Sequence, residues 1–220
     1  MKYYPELQEG LYDPNIFKAI FLAGGPGSGK SYVVRRTTGG TGLKIVNSDP
    51  AFELLLKNAG LSLKMPPEES ERKEKVRARA KELTKKQQKN YLDGRLGLII
   101  DGTGKDAEKI LLQKRHLEEL GYDTYMIFVN TSIDVALQRN AERARSLPAS
   151  DVVSMLKEVQ SNIGTFSNMF RKGFIVVDNN DAVEDIFMGV WKRVQGLLRK
   201  KVTNTRAKNW MATELAKKAR

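Results

Sequence analysis

Gly24-Gly25-Pro26-Gly27-Ser28-Gly29-Lys30-Ser31 is the stretch on which the fold turns. It matches G-x-x-x-x-G-K-[ST] at every fixed position. Glycines at this spacing let successive backbone N–H groups turn inward around phosphate oxygens, where side chains would collide. Residues 18–23 before it read as a short buried strand, and residues 29–37 as the helix that follows. A helix starting there adds the positive end of its dipole beneath the same anion. In such a loop Lys30 reaches the β- and γ-phosphates and the Ser31 hydroxyl holds Mg²⁺. Strand, loop and helix together predict a nucleoside triphosphate site, with ATP (or another NTP) and Mg²⁺ contacted along residues 24–31.

Working outward, short apolar strands alternate with amphipathic helices. Strands are expected at residues 43–46, 96–100, 125–129 and 174–177, and helices at 52–59, 68–92, 106–120, 132–145, 151–163 and 182–198. Ser132 and Ser150 are good N-caps, and Gly60 and Gly121 are natural helix stops. This alternation predicts an α/β, three-layer αβα architecture around a parallel sheet of about five strands. The expected organisation is a nucleotide-binding domain over residues 1–198, with a charged helical insert at 57–93 and a lid region at 139–163. A basic tail, 199–220, follows.

Composition narrows the function classes. The chain has 220 residues, 40% of them apolar, and no cysteine, which excludes disulfides and thiolate metal sites. No apolar run approaches the roughly 20 residues of a membrane helix, and residues 1–6 do not resemble a signal peptide. A soluble, cytoplasmic protein is expected. The net charge of +12 points to a polyanionic partner. Residues 199–220 hold eight bases against the single acid Glu214, which places seven of those charges in the tail. A solvated helix end is the plain reading of such a tail, whereas Trp210 among the bases offers a stacking face for nucleic acid.

Four residues at three places outside the loop point to phosphoryl transfer. Asp49 follows the second strand, where a carboxylate can take the proton of an incoming hydroxyl or orient it. Asp101 ends the third strand and is the expected second carboxylate on the metal side. Arg139 and Arg143 stand four residues apart on the expected helix 132–145, one turn apart on one face, with Arg145 just beyond. Arginines at a helix junction suit a lid over the triphosphate and stabilise charge on the group in transfer. Each of these has a plainer alternative, respectively an Asp-Pro turn, a turn cap and a solvated arginine face.

Asn47-Ser48-Asp49, Ile100-Asp101-Gly102-Thr103 and Arg139-Asn140-Ala141-Glu142-Arg143, followed by Pro148 and Asp151-Val152-Val153-Ser154-Met155, carry a family likeness. With the glycine loop they make residues 18–163 resemble the kinase domain of phage-type polynucleotide kinases and their zeta-toxin relatives. The resemblance implies that Lys30 and Ser31 serve the phosphates and Mg²⁺. It also implies that Asp49 activates the acceptor hydroxyl and that Arg143, with Arg139, stabilises the transition state. Polynucleotide kinases of this type carry an arginine one turn after the catalytic aspartate; here that position is Phe52. The 220 residues contain no D-x-D-x-T/V motif, so no phosphatase half of the bifunctional enzymes is expected among them, and the insert is distinctive.

Three functions stay open at this point. The first is transfer to a hydroxyl on nucleic acid. That hydroxyl is either a 5′ end or, by similarity to phage hydroxymethyluracil DNA kinases, a hydroxymethylpyrimidine base flipped out of the helix onto Phe52, with Thr103 as a further substrate contact. The second is transfer to a small acceptor such as a nucleotide sugar or a nucleoside monophosphate. The third is an ATP-gated nucleic-acid-binding module with no transfer at all.

Overall fold

The computed structural model describes residues 11–63, 66–143, 146–181 and 184–218. Five parallel strands form one sheet: β1 (Lys18–Ala23), β2 (Lys44–Val46), β3 (Leu98–Asp101), β4 (Asp123–Asn130) and β5 (Phe174–Asp178). Their spatial order is β2-β3-β1-β4-β5, so the strand that enters the glycine loop is central. The expected α/β class and strand count are therefore correct. A parallel sheet must be covered on both faces, and the period of two in β1 shows how. Ala19, Phe21 and Ala23 join Leu98, Met126 and Phe128 on one face, under α4 (Ala107–Glu119) and α7 (Ile163–Phe170). Ile20 and Leu22 join Ile99, Ile127 and Val177 on the other, under α1 (Lys30–Thr38) and α8 (Glu184–Leu198).

The insert forms a satellite of this core. Helix α2 (Asp49–Asn58) packs along α3 (Ser70–Asp93), burying Phe52, Leu56, Leu61 and Ala80 between them. Expected to start at residue 52, α2 begins at Asp49 instead. Pro50 sits in its first turn, where a missing N–H costs nothing. Phe52 is fully buried in this cluster, so it is not a stacking platform for a flipped base. Its apolar ring stabilises the insert rather than facing the solvent.

Two further expectations change. Helix α5 (Ile133–Ala141) stops well short of residue 145. Asn140 is buried there, and its side chain donates to the Leu147 carbonyl at 2.8 Å and accepts from the Leu147 N–H at 3.0 Å, which folds the chain back. Arg143 therefore lies outside the helix that carries Arg139, and Arg145 lies outside the described residues. Helix α6 (Ala149–Ser161) corresponds to the helix expected at 151–163, whereas α7 follows it where no helix was expected.

The basic tail is also structured over much of its length. Residues 205–218 form α9 (Thr205–Lys218), with Ala207 buried. Trp210 meets Phe17 edge-to-face at 5.5 Å and packs on the central core, which makes it a packing residue and not a free stacking face. Among the described residues, no helix is long and apolar enough to cross a membrane.

Candidate active site

The site assembles where three parallel strands end side by side. Strand β1 delivers the glycine loop, β3 delivers Asp101, and β2 runs through Asn47 and Ser48 into Asp49. A cleft of about 620 Å³ opens between them, lined by Lys30, Ser31, Asp49, Asp101, Thr103 and Arg143 among others. Six residues expected from four separate motifs thus share one cavity. This is the crevice at the carboxyl ends of the strands where α/β sheets bind ligands.

The loop itself is a shaped cradle. Gly27 and Gly29 have φ of 74° and 79°, in the region that favours glycine. A Cβ on Gly27 would lie 2.2 Å from the Ala136 carbonyl oxygen, and one on Gly29 would lie 2.4 Å from Asn179 Nδ2. The Ser28 hydroxyl is buried without a hydrogen-bond partner among the described residues. A concave loop of backbone N–H groups fits a polyphosphate. Lys30 donates to the Gly24 carbonyl at 2.5 Å, spanning the loop it would otherwise serve.

Charge in the cleft is poorly solvated. Burial lowers the Lys30 pKa from the ordinary lysine value of 10.5; Arg143 lowers it further, while Asp101 and Asp49 work against the shift. Burial raises Asp101 above the usual carboxylate range, with Lys30 opposing, Asp49 adding and the Asn47 hydrogen bond opposing. An anion with a divalent ion would relieve both. Ser31 and Asp101 fit the two sides of Mg²⁺, a hydroxyl and a carboxylate being hard oxygen donors. Among the described residues no group of three or more His, Cys, Asp or Glu is placed to hold a metal ion by itself.

Asn47 links the two acids. Its Nδ2 donates to Asp101 Oδ2 at 2.7 Å, and its Oδ1 accepts the backbone N–H of Asp49 at 2.8 Å. Asp49 itself is half-exposed, with Arg77 of α3 3.9 Å from its Oδ1. Thr103 is tied to the loop through its carbonyl, which accepts from Gly24 N–H at 2.9 Å.

The two arginines separate. Arg139 donates to the carbonyls of Asn179 at 2.7 Å and Asn180 at 3.1 Å, just past β5. Asn179 in turn donates to the Ser28 carbonyl at 2.7 Å. Arg139 therefore braces the loop from behind, while Arg143 lines the cleft. Asn47, Asn179 and Arg77 were not anticipated as site residues. Only Asn47 carried a signal, as an Asx residue two before Asp49.

Fold and cleft together define a P-loop nucleotide-binding protein of the α/β type. Residues 20–161 match the family model for an AAA domain, and the chain belongs to that family. No curated protein sequence matches the chain. Among solved structures, it is similar to the Pnkp1/Rnl/Hen1 RNA repair complex, with 22% identity over 69% of this chain and 47% of that one and a TM-score of 0.52. A gluconokinase from Sinorhizobium meliloti 1021 is 14% identical, covering 84% and 97% of the two chains, with a TM-score of 0.51. A deoxyadenosine kinase from M. mycoides is 19% identical over 81% and 99%, with a TM-score of 0.50. These likenesses are to the fold.

Proposed function

We propose that this protein is an ATP-dependent phosphotransferase that moves the γ-phosphoryl group onto a hydroxyl of nucleic acid. One observation carries the transfer: a basic loop lysine, a cleft arginine and two carboxylates, Asp49 and Asp101, line the same cavity. ATP enters with its phosphates in residues 24–31, and Lys30 leaves the Gly24 carbonyl for the β- and γ-phosphates. Ser31 and Asp101 would hold Mg²⁺, which would supply positive charge against the phosphates. Asp49 accepts the proton of the acceptor hydroxyl as its oxygen bonds to the γ-phosphorus. The bond from that phosphorus to the ADP oxygen breaks in the same displacement, and Arg143 balances charge on the group in flight.

The net charge of +12 and the resemblance to polynucleotide kinases support a nucleic-acid acceptor. The test uses γ-labelled ATP with two DNA substrates, one with free 5′-hydroxyl ends and one with blocked ends and internal hydroxymethylpyrimidines. Label on the first makes this an end kinase, and label on the second alone makes it a base kinase. Label on neither, with transfer to a nucleotide sugar or nucleoside monophosphate instead, overturns the nucleic-acid reading.

A further inference from the structure

Beside the catalytic cleft, and sharing Asn47, Ser48, Asp101, Gly102 and Thr103 with it, lies a second cavity of about 540 Å³ between α3 and α4. One wall is a single face of α3. Lys81, Thr84, Lys85 and Gln88 follow at spacings of three and four, the period of one helical stripe. The stripe starts one turn earlier at Arg77, beside Asp49. The opposite wall is Lys105, just before α4, with Lys109 and Gln113 four apart on the helix itself. The floor is apolar, with Phe21, Val46 and Ile100.

Three of the four lysines on these walls have no ion pair among the described residues, although Asp101 and Asp106 also line the cavity. Lys105 pairs with Glu158 at 3.0 Å. Lys81, Lys85 and Lys109 are exposed, and among the described residues no ion pair is seen for any of them. The rest of α3 behaves otherwise: Lys75, Arg79, Lys86 and Lys89 each pair with an acid on their own helix. Four bases on other faces of the helix are thus paired, whereas among the described residues Lys81 and Lys85 in the groove have no ion pair. From Arg77 to Gln88 the stripe runs roughly 16 Å at 1.5 Å per residue. A basic track over an apolar floor, opening into a phosphoryl-transfer cleft, fits a strand whose phosphates face the lysines.

We propose that this groove is the track of the acceptor: a single-stranded segment of nucleic acid lies between α3 and α4, held by Lys81, Lys85 and Lys109, with its reactive end in the cleft. The proposal rests on the phosphotransferase reading above and specifies its acceptor side. It assigns the polyanion contact to the insert, not to the C-terminal helix.

The test compares the full chain with Lys81→Ala/Lys85→Ala/Lys109→Ala, with the same three positions changed to arginine, and with Lys200→Ala/Lys201→Ala, which lie at another basic cavity. A fluorescent oligothymidylate with a 5′-hydroxyl is titrated across a salt series. Three lost phosphate contacts should reduce the slope of log K against log[salt] by about 2. The arginine version should retain the slope, and the Lys200/Lys201 variant should match wild type. In transfer assays the groove variant should raise the acceptor KM and leave the ATP KM unchanged. An unchanged slope in the groove variant, or its loss only in the Lys200/Lys201 variant, overturns the groove even if DNA is labelled. A groove-dependent slope without any label on DNA keeps the groove and rejects the acceptor assigned to the reaction.

Discussion

The guanidinium carbon of Arg77 lies 3.9 Å from the centroid of the Phe52 ring. Phe52 is wholly buried, and Arg77 comes from another helix, so the pair fastens α3 to α2 directly behind Asp49. A cation over an aromatic face is attractive by about 0.5–2 kcal/mol.

Phe52→Ala should therefore act through stability. Removing a buried phenyl ring costs about 3–5 kcal/mol, so the urea midpoint should fall sharply. Loss of nucleic-acid affinity with an unchanged midpoint would return Phe52 to the substrate surface.

Arg139 and Arg143 should part company on substitution. Arg139→Ala removes two hydrogen bonds that brace the loop through Asn179 and Asn180. It should cost about 1–2 kcal/mol, the lower part of the range for bonds to a charged group that is half-exposed, and should weaken nucleotide binding. Arg139→Lys should not rescue it, because a single ammonium cannot span both carbonyls. Arg143 is exposed, so Arg143→Ala should leave stability within about 0.5 kcal/mol and reduce transfer by about 10³-fold or more. Equal effects of the two on melting temperature would refute the division.

Nucleotide affinity should fall at alkaline pH. Lys30 has a pKa below 10.5 in the free protein because burial disfavours its charge. Phosphates bind the charged form, so binding takes up a proton once pH exceeds that lowered value, and affinity declines from there upward. Titration of a fluorescent ATP analogue from neutral pH to pH 10.5 should show the decline for wild type and none for Lys30→Met. A flat wild-type profile would contradict the burial of this ammonium.

Asn47→Ala should slow transfer more than it weakens ATP binding. The substitution removes the donor to Asp101 and the acceptor that holds the Asp49 N–H. A hydrogen bond to a charged group is worth about 1.5–3 kcal/mol, so kcat should drop by roughly ten- to a hundredfold. Asn47→Asp would place a third carboxylate beside Asp101 and should do worse. A kcat within twofold of wild type would show that the link does not position either acid.

Much of this site was legible because its chemistry is local. The glycine loop specifies backbone geometry residue by residue, and Asp49 and Asp101 follow apolar strands whose ends the sheet must bring together. What escaped reading depends on contacts between distant segments. Asn179 looks like an ordinary turn residue until the sheet sets it against Ser28. Phe52 and Trp210 look like stacking faces until α3 and the Phe17 region cover them. The end of α5 depends on a side chain bonding seven residues ahead, which no helical period signals. Helix α7 lacks a charged residue to mark a polar face, and its Phe166 and Phe170 are visible as core only once the sheet lies beneath them.

The sheet order also divides the molecule by resistance to local unfolding. β1, which bears the loop, is paired over six residues with β4 on one side and over four with β3 on the other. β2, which leads into Asp49, is a three-residue edge strand paired only with β3. Amide hydrogen exchange should accordingly be slowest beneath the phosphates and fastest at residues 44–49, since edge elements with few ladder bonds open first. Under the proposed function, the donor half is built to stay still and the acceptor half to yield. A lineage can therefore exchange acceptors by remodelling β2, α2 and α3 while the nucleotide half carries on unaltered.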